Sequence, residues 1–467
     1  MSESKGSSRR NFVKLASAAT LIAGASRRSS GAYNIELTAP PPPQQSVSAN
    51  DKIQVALIGA GGRGSDITTT ALKVPGIELV AVADVYDGRL IRAKEVWGNA
   101  VFTSRDYREV LSRPEVDAVI IATPDHWHSR VAIDAMNAGK DVYCEKPMVQ
   151  DLSDGPKMIE AAKKTNRVIQ IGSQRVSSII YQKAKELLAE GKIGKLNMVE
   201  AWWDRNSPLG AWQYSIPPDA SPQTVDWDRF LGNAPKRAFE PIRLFRWRNY
   251  RDYGTGVAGD LFVHLFSGMH HIVNSLGPTR VMSTGGLVYW NDGRDVPDVM
   301  LGLYEYPKTE QHPQFFLSLK VNFADGAGET SGIRFIGDEG VMSVGNSVSI
   351  ARRQKSSEPG YSIETFPKAV QQDFLKEYRA KYPARVGSRR LSPTSDEDYI
   401  ASRNYDDTYD HFVNFFDAVR TRRAVIEDAT FGLRAAGPAL LSNKSYFEGR
   451  AFGWDPVAMK IKTNGNS

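Results

Sequence analysis

The stretch "KIQVALIGAGGRGSDITTTAL" (residues 52–72) leaves the chain few ways to fold. A buried-strand pattern, Ile53, Val55, Leu57 and Ile58, runs into Gly59-x-Gly61-x-x-Gly64 and then into a helical segment. Alone, a glycine triplet says little. With a strand before it and a helix after it, each glycine acquires a task. Gly59 permits the tight turn, Gly61 lets backbone N–H groups approach a pyrophosphate, and Gly64 lets helix and strand pack closely. The helix N-terminus adds partial positive charge for the anion. The expected fold is therefore α/β, beginning with a Rossmann dinucleotide-binding domain over 51–175.

The next two units fit that frame. "IELVAVAD" is a second strand, and Asp84 ends it about 20 residues after the last glycine, where a carboxylate accepts hydrogen bonds from the adenosine ribose hydroxyls. A carboxylate there repels a 2′-phosphate, which favours NAD. Arg63 and Arg89 lie close enough in sequence to keep NADP as the alternative. "VDAVIIATPDHWHSRVAIDAMNAGKDVYCEKPM" then reads as a strand (Ala118 to Ala122), a helix from about His126 to Ala138, and a strand (Val142 to Cys144) that delivers Glu145, Lys146 and Pro147. Strand C-termini line the ligand crevice of a doubly wound sheet. Thr123, Asp125, His128, Glu145 and Lys146 should therefore share one cleft. The candidate cofactor contacts are Gly59, Gly61, Gly62, Arg63 and Gly64 from the loop, and Asp84, Thr123, Pro124, His128, Glu145, Lys146 and Gln174 from later strand ends. Pro147 fixes φ and stiffens its turn.

From about residue 176 the pattern changes. "NMVEAWWDRN", "RVMSTGGLVYW", "DVMLGLYEY", "QFFLSLKVNF" and "IRFIGDEGVMSV" are strands with hairpin spacing. They predict a C-terminal α+β domain, 176–467, with a large, mainly antiparallel open sheet. Within it, "DYGTGVAGDLFVHLFSGMHHIVNSLG" sets Asp260 and His264 four residues apart, on one face of a helix. A carboxylate beside an imidazole can fix its tautomer and raise its basicity. Aromatics and polar groups in "WWDRN" and "RWR" suit hydroxyl-rich ligands, and Trp203 and Arg205 are the substrate candidates among them.

Taken together, "GAGGRG", "ATPDHWH", "AGKDVYCEKP" and "GDLFVHL" resemble the glucose–fructose oxidoreductase, inositol dehydrogenase and MocA family over residues 51 to about 450. The resemblance implies an NAD(P)-dependent oxidoreductase of sugars or polyols. It implies a catalytic role for Lys146, with Asp260 and His264 as a catalytic pair, and substrate contacts from Lys146 and His264. It also implies a homo-oligomer formed through the sheet face. Ser267 departs from the commonest pattern, where many relatives have Asp. Some exported relatives are NAD-dependent glycoside hydrolases, N-acetylgalactosaminidases among them. A redox-neutral glycosidase or lyase is thus the second reading, and a non-catalytic sugar sensor the third.

Composition closes off other classes. The single cysteine, Cys144, excludes an internal disulfide and a cysteine-based zinc site, and its strand position makes it a packing residue. No metal site is expected, since adjacent His270 and His271 point apart on a helix. Formal net charge is +6, too little and too scattered for nucleic acid. No stretch after residue 30 approaches the roughly 20 apolar residues of a membrane span.

The N-terminus adds an address. "SRRNFVKLASAATLIAGAS" carries twin arginines, Arg9 and Arg10, a weakly apolar run, and Ala23-Gly24-Ala25 as a small-residue cleavage site. Residues 1–25 read as a twin-arginine signal, so export machinery is a partner and the periplasm, or another exported location, the destination. That route takes folded proteins. A tightly bound dinucleotide loaded before export follows from it. Residues 26–50 read as a Pro-rich arm. Residues 351–406 read as a polar insertion that reaches a neighbouring subunit, followed by structural amphipathic helices.

Overall fold

The computed structural model describes residues 33–38, 52–352, 362–382 and 397–462. The twin-arginine segment and most of the Pro-rich arm lie outside the described residues. One piece of the arm does not: β1 (Tyr33–Leu37) pairs in parallel with a strand near the other end of the chain. Its alternation of apolar and polar side chains, "YNIEL", suits an edge strand.

The first half of the chain builds a six-stranded parallel sheet from β2 (Ile53–Ile58), β3 (Ile77–Ala83), β4 (Phe102–Ser104), β5 (Ala118–Ile121), β6 (Asp141–Cys144) and β7 (Ile169–Ile171), in the order β4-β3-β2-β5-β6-β7. The central strands are buried on both faces, which explains their near-continuous apolar text. Strand order reverses between β2 and β5. The crevice of a doubly wound sheet opens there, beyond the strand C-termini.

An eleven-stranded sheet fills the second half. It is made by β8 (Leu196–Asp204), β9 (Arg280–Gly286), β10 (Val299–Tyr306), β11 (Phe315–Asn322), β12 (Thr330–Gly337), β13 (Gly340–Val344), β14 (Ser347–Arg352), β15 (Glu397–Ala401), β16 (Phe452–Asp455) and β17 (Lys460–Ile461), together with β1. Most pairings are antiparallel; β8–β11 and β1–β15 are parallel. The fold is thus α/β, a Rossmann unit followed by a large, mainly antiparallel sheet. On β10, Met300, Tyr304 and Tyr306 point into the core while Leu301 and Leu303 face outward. The inner face is covered by the helix Val263–Val273, every residue of which is buried, and by the long helix Ala429–Glu448. A helix buried all round needs apolar text on all sides. "VHLFSGMHHIV" meets that need, with its histidines carried inside.

The division at residue 176 is less clean in three dimensions. The helix Asp407–Thr421 returns to the first sheet, and Phe412, Phe415 and Phe416 pack with Val55, Leu57 and Tyr143 in one apolar cluster. Its apolar face reads as amphipathic in sequence, but periodicity does not say which sheet receives it. The 351–406 segment leaves the sheet from β14 and returns to it as β15, which pairs with β14 residues 347–350, and the helix Lys368–Lys381 between them buries none of its residues.

Candidate active site

Each loop glycine meets a different obstacle. Gly59 adopts φ +94°, and a Cβ there would stand 2.6 Å from the Ala122 carbonyl oxygen. A Cβ on Gly64 would stand 2.0 Å from the Gly59 carbonyl oxygen, so strand and helix touch through backbone. A Cβ on Gly61 would meet only the Arg89 guanidinium, at 3.6 Å, and one on Gly62 nothing within 4 Å. The helix Gly62–Ala71 has no side-chain cap hydrogen bond at its start. Its first N–H groups are therefore left for a ligand.

Asp84 sits at the end of β3, buried. Its Oδ2 accepts from the Ala60 N–H at 2.8 Å and its Oδ1 from the Tyr86 N–H at 3.0 Å. Arg89 Nη1 lies 3.3 Å from Oδ2. The carboxylate thus holds the glycine loop as well as facing the cleft. Arg63 turns the other way, its Nε donating to Glu145 Oε1 at 2.8 Å.

Thr123, Pro124, Glu145, Lys146 and Gln174 line one cavity with Gly59, Gly61, Gly62, Arg63 and Asp84. Gly64 and His128 are absent from its wall. His128 lies behind the strand ends, with Nδ1 2.7 Å from the Pro147 carbonyl oxygen and Nε2 2.8 Å from that of Thr123. It braces the two turns that present Thr123 and Lys146. Asp125 also points away; its Oδ2 accepts from the Thr255 N–H at 3.0 Å and from Thr255 Oγ1 at 2.6 Å. That bond ties the first unit to the glycine-rich stretch of the second.

The Lys146–Pro147 peptide is cis. Lys146 reaches across to the second unit, where Nζ donates to the Asp260 carbonyl oxygen and to Asp260 Oδ1, both at 2.7 Å. Arg248 Nε donates to the same Oδ1 at 3.2 Å. Asp260 and His264 do share a helical segment, but Ala258–Phe262 is a π turn, and the expected pairing is altered. The Asp260 carboxylate is taken by Lys146 and Arg248, while His264 Nδ1 is buried without a hydrogen-bond partner. Asp260 therefore positions the lysine rather than the imidazole. The physical reason is proximity: two cations outcompete a neutral ring for one buried carboxylate.

Charge states follow from the neighbours. Burial alone would raise the Asp260 carboxyl, but Lys146, Arg248 and Arg205 outweigh it and hold it well below the usual carboxylate range. Burial, reinforced by the Lys146 and Arg175 cations, pushes His264 well below its ordinary value, so it is neutral at neutral pH. Trp203 flanks His264 with ring centroids 5.1 Å apart, and the Arg175 guanidinium lies over the Trp203 ring at 4.7 Å. Arg205 Nη1 donates to the Gly210 carbonyl oxygen at 2.7 Å.

The whole cavity measures about 730 Å³ and runs from the glycine loop to His264. It fits a dinucleotide: Gly61 leaves room for a pyrophosphate, the helix N-terminus is uncapped, and Thr123 Oγ1 and Gln174 Oε1 are buried with no partner among the described residues.

Two functional-looking arginines escaped sequence reasoning, Arg175 and Arg248. Arg248 belongs to "RWR", and its spacing to Asp260 carries no recognisable period. Arg175 follows Gln174 but reads as an ordinary strand-end cation. Other sequence candidates lie elsewhere. Ser267 is fully buried and its Oγ donates to the His264 carbonyl oxygen at 3.2 Å. His270 Nε2 is 2.8 Å from Tyr306 Oη in the core. Burial pushes the Cys144 thiol up, which suits packing rather than nucleophilic chemistry. Among the described residues, no three His, Cys, Asp or Glu side chains converge on a metal-sized site.

A family model described as "Oxidoreductase family, NAD-binding Rossmann fold" matches residues 53–173. A second, "Oxidoreductase family, C-terminal alpha/beta domain", matches 185–450. Inositol 2-dehydrogenase of Salmonella typhimurium is 34% identical over 149 residues, 32% of this chain and 44% of that protein. A glycosyl hydrolase family 109 protein of Shewanella baltica is 34% identical over 172 residues, 34% of this chain and 38% of that protein. The matched region thus spans less than half the length of either relative. A levoglucosan dehydrogenase solved in complex with NADH superposes with a TM-score of 0.60 at 18% identity, covering 86% of this chain and 98% of that one.

Proposed function

This chain belongs to the Gfo/Idh/MocA oxidoreductase family, and from that premise we propose that it oxidises a secondary ring alcohol of a sugar or polyol with NAD held in the interdomain cavity. One observation carries the reading. A lysine ion-paired to a buried carboxylate and a neutral histidine line the same cavity as the glycine loop.

In this reading the dinucleotide, when bound, supplies the hydride acceptor. His264 accepts the hydroxyl proton, a role its neutral form permits. Lys146 has three N–H donors, two of which Asp260 uses. The third is free to bond the substrate oxygen and offset the negative charge that develops as the proton leaves. Asp260 and Arg248 keep that ammonium in place. Asp84 faces the ribose hydroxyls, and its carboxylate favours NAD over NADP. Trp203 offers a flat apolar wall to a sugar ring.

The test is single-turnover reduction of bound NAD across a sugar and polyol panel. A substrate in that panel should be oxidised, and Lys146→Met should slow the step by about 10²-fold or more. A rate near that of the unaltered protein would remove Lys146 from the mechanism.

A redox-neutral cycle is the second reading, favoured by the equal similarity to a glycosyl hydrolase family 109 protein. A transient ketone would acidify the adjacent C–H and allow loss of a glycosidic group, with the hydride then returned. Reaction in deuterated water separates the two: the cycle places solvent deuterium beside the oxidised carbon and leaves no net NADH.

Export and assembly complete the proposal. The twin arginines direct a folded, NAD-loaded protein out of the cytoplasm, and replacing Arg9 and Arg10 by Lys should leave precursor inside the cell. The outward face of the large sheet shows Met282, Leu301, Leu303 and Phe316 to solvent, an apolar patch suited to a homo-oligomer. Light scattering on the purified protein tests that assembly.

A further inference from the structure

The two ends of the cavity differ in how their cations are balanced. Toward the adenosine end, each arginine has a carboxylate within ion-pair distance: Arg89 has Asp84, Arg105 has Asp87, Arg108 has Asp106, and Arg229 has Asp226 and Asp106. Beside the loop, Arg63 has Glu145. At the His264 end, four cationic side chains, Lys146, Arg175, Arg205 and Arg248, line the wall with a single carboxylate, Asp260. Lys146 and Arg248 share that carboxylate. Arg175 and Arg205 have no carboxylate within ion-pair distance among the described residues.

Their existing bonds do not neutralise them. Arg175 Nη1 donates to Tyr181 Oη at 3.2 Å, its plane rests on Trp203, and its Nε is buried without a partner. Asp407 acts on Arg175 electrostatically, without a direct bond. Arg205 donates to one backbone carbonyl and lies over Phe323 at 5.5 Å. Removing a charge from water is costly unless an opposite charge meets it. Two arginines held this way beside a reaction centre are a receptor for an anion. That anion is not the dinucleotide pyrophosphate, which belongs at the uncapped helix near Gly61. Arg175 shares Trp203 with His264, and Arg205 acts on Asp260, so both belong to the substrate end.

We propose that the substrate is an anionic sugar, whose carboxylate or phosphate is bound by Arg175 and Arg205 while its ring alcohol faces Lys146 and His264. This rests on the oxidoreductase reading for the placement of the alcohol, but the anion site itself is a binding claim. Arginine suits both oxyanions because its N–H fork matches them bidentately. A neutral polyol would leave the excess charge at this end unmet.

The experiment separates binding from turnover. Affinities of hexuronates, hexose 6-phosphates and their neutral parent hexoses for the NAD-loaded full-length protein are measured by calorimetry at low and high salt. At least one acid should bind about 10- to 100-fold more tightly than its neutral parent, with the preference shrinking in salt. Whether uronates or phosphates are preferred tells the two sources apart. In Arg175→Gln and in Arg205→Gln the ratio of acid to parent affinity should fall toward one. If every neutral parent binds as well as its acid to the unaltered protein, the anion site is overturned, whatever the variants do. Preferential binding of acids with no nicotinamide reduction would uphold the anion site and defeat the hydride-transfer reading. Reduction by neutral sugars alone would do the reverse.

Discussion

The Lys146–Asp260 contact joins residues 114 positions apart and both side chains are almost wholly buried. Replacing Asp260 by Asn leaves two cations, Lys146 and Arg248, facing a neutral amide. Breaking a buried pair from one side costs about 3–5 kcal/mol. Asp260→Asn should therefore lower the denaturation midpoint as well as slow hydride transfer, and an unchanged midpoint would count against the buried pair. His264 behaves differently, since it has no partner to strand. His264→Asn should reduce turnover by about 10²-fold or more with little loss of stability. Its depressed pKa also sets a pH signature. Through neutral and mildly acidic pH it stays unprotonated, so kcat/KM should show no His264-dependent inflection near the ordinary value of 6.5. An inflection at that pH which disappears in His264→Asn would contradict the base assignment.

At the scale of the element, the strand–loop–helix unit makes separable predictions. A Cβ at Gly64 collides with backbone, which cannot swing aside, so Gly64→Ala should force helix and strand apart and lower the melting temperature. Gly61→Ala meets only the end of the Arg89 side chain, so the ligand-free protein should melt normally. With NAD present the two should differ again. Gly61→Ala should lose most of the ligand-induced rise in melting temperature, because its methyl occupies the space the pyrophosphate needs. A Gly61→Ala protein that gains as much from NAD as the parent would move the phosphate site elsewhere. Much of this element is legible in sequence, since a tight turn, a close approach and a close packing each demand glycine locally. The π turn at Ala258–Phe262 is not legible, because nothing in "AGDLF" distinguishes it from an ordinary helical start. Its consequence, Asp260 directed to Lys146 and Arg248, had to be seen in space.

The molecule as a whole stores several histidines in neutral form. Burial lowers His126, His271 and His411 to about 4 and His270 to about 3, and it lowers His264 as well. In the unfolded chain these groups titrate near 6.5, so between that pH and about 4 the unfolded state binds more protons than the folded one. The histidine contribution to stability then rises with pH across this window and is lost as pH drops through it, opposed in part by the buried carboxyls of Asp125, Asp407 and Glu427, which burial raises. The melting temperature should decline by at least several degrees between pH 7 and pH 4.5. His270→Phe and His411→Phe should each flatten this decline; a decline unchanged in both would mean that the buried rings do not carry it.

Local chemistry fixed the Rossmann opening and the strand-rich second half, because glycine spacing and apolar periodicity act over a few residues; it offered Lys146, Asp260 and His264 as candidates through short motifs. Sequence alone also raised the question of export, through Arg9 and Arg10. Tertiary structure decided the partnerships. It bound Asp260 to Lys146 instead of His264, sent the helix Asp407–Thr421 back to the first sheet, and turned His128 into a brace. It also brought Arg175, Arg205 and Arg248 to one end of one cavity. Those outcomes depend on which charges and apolar faces meet across the interface between two sheets, a property of packing that no local spacing records.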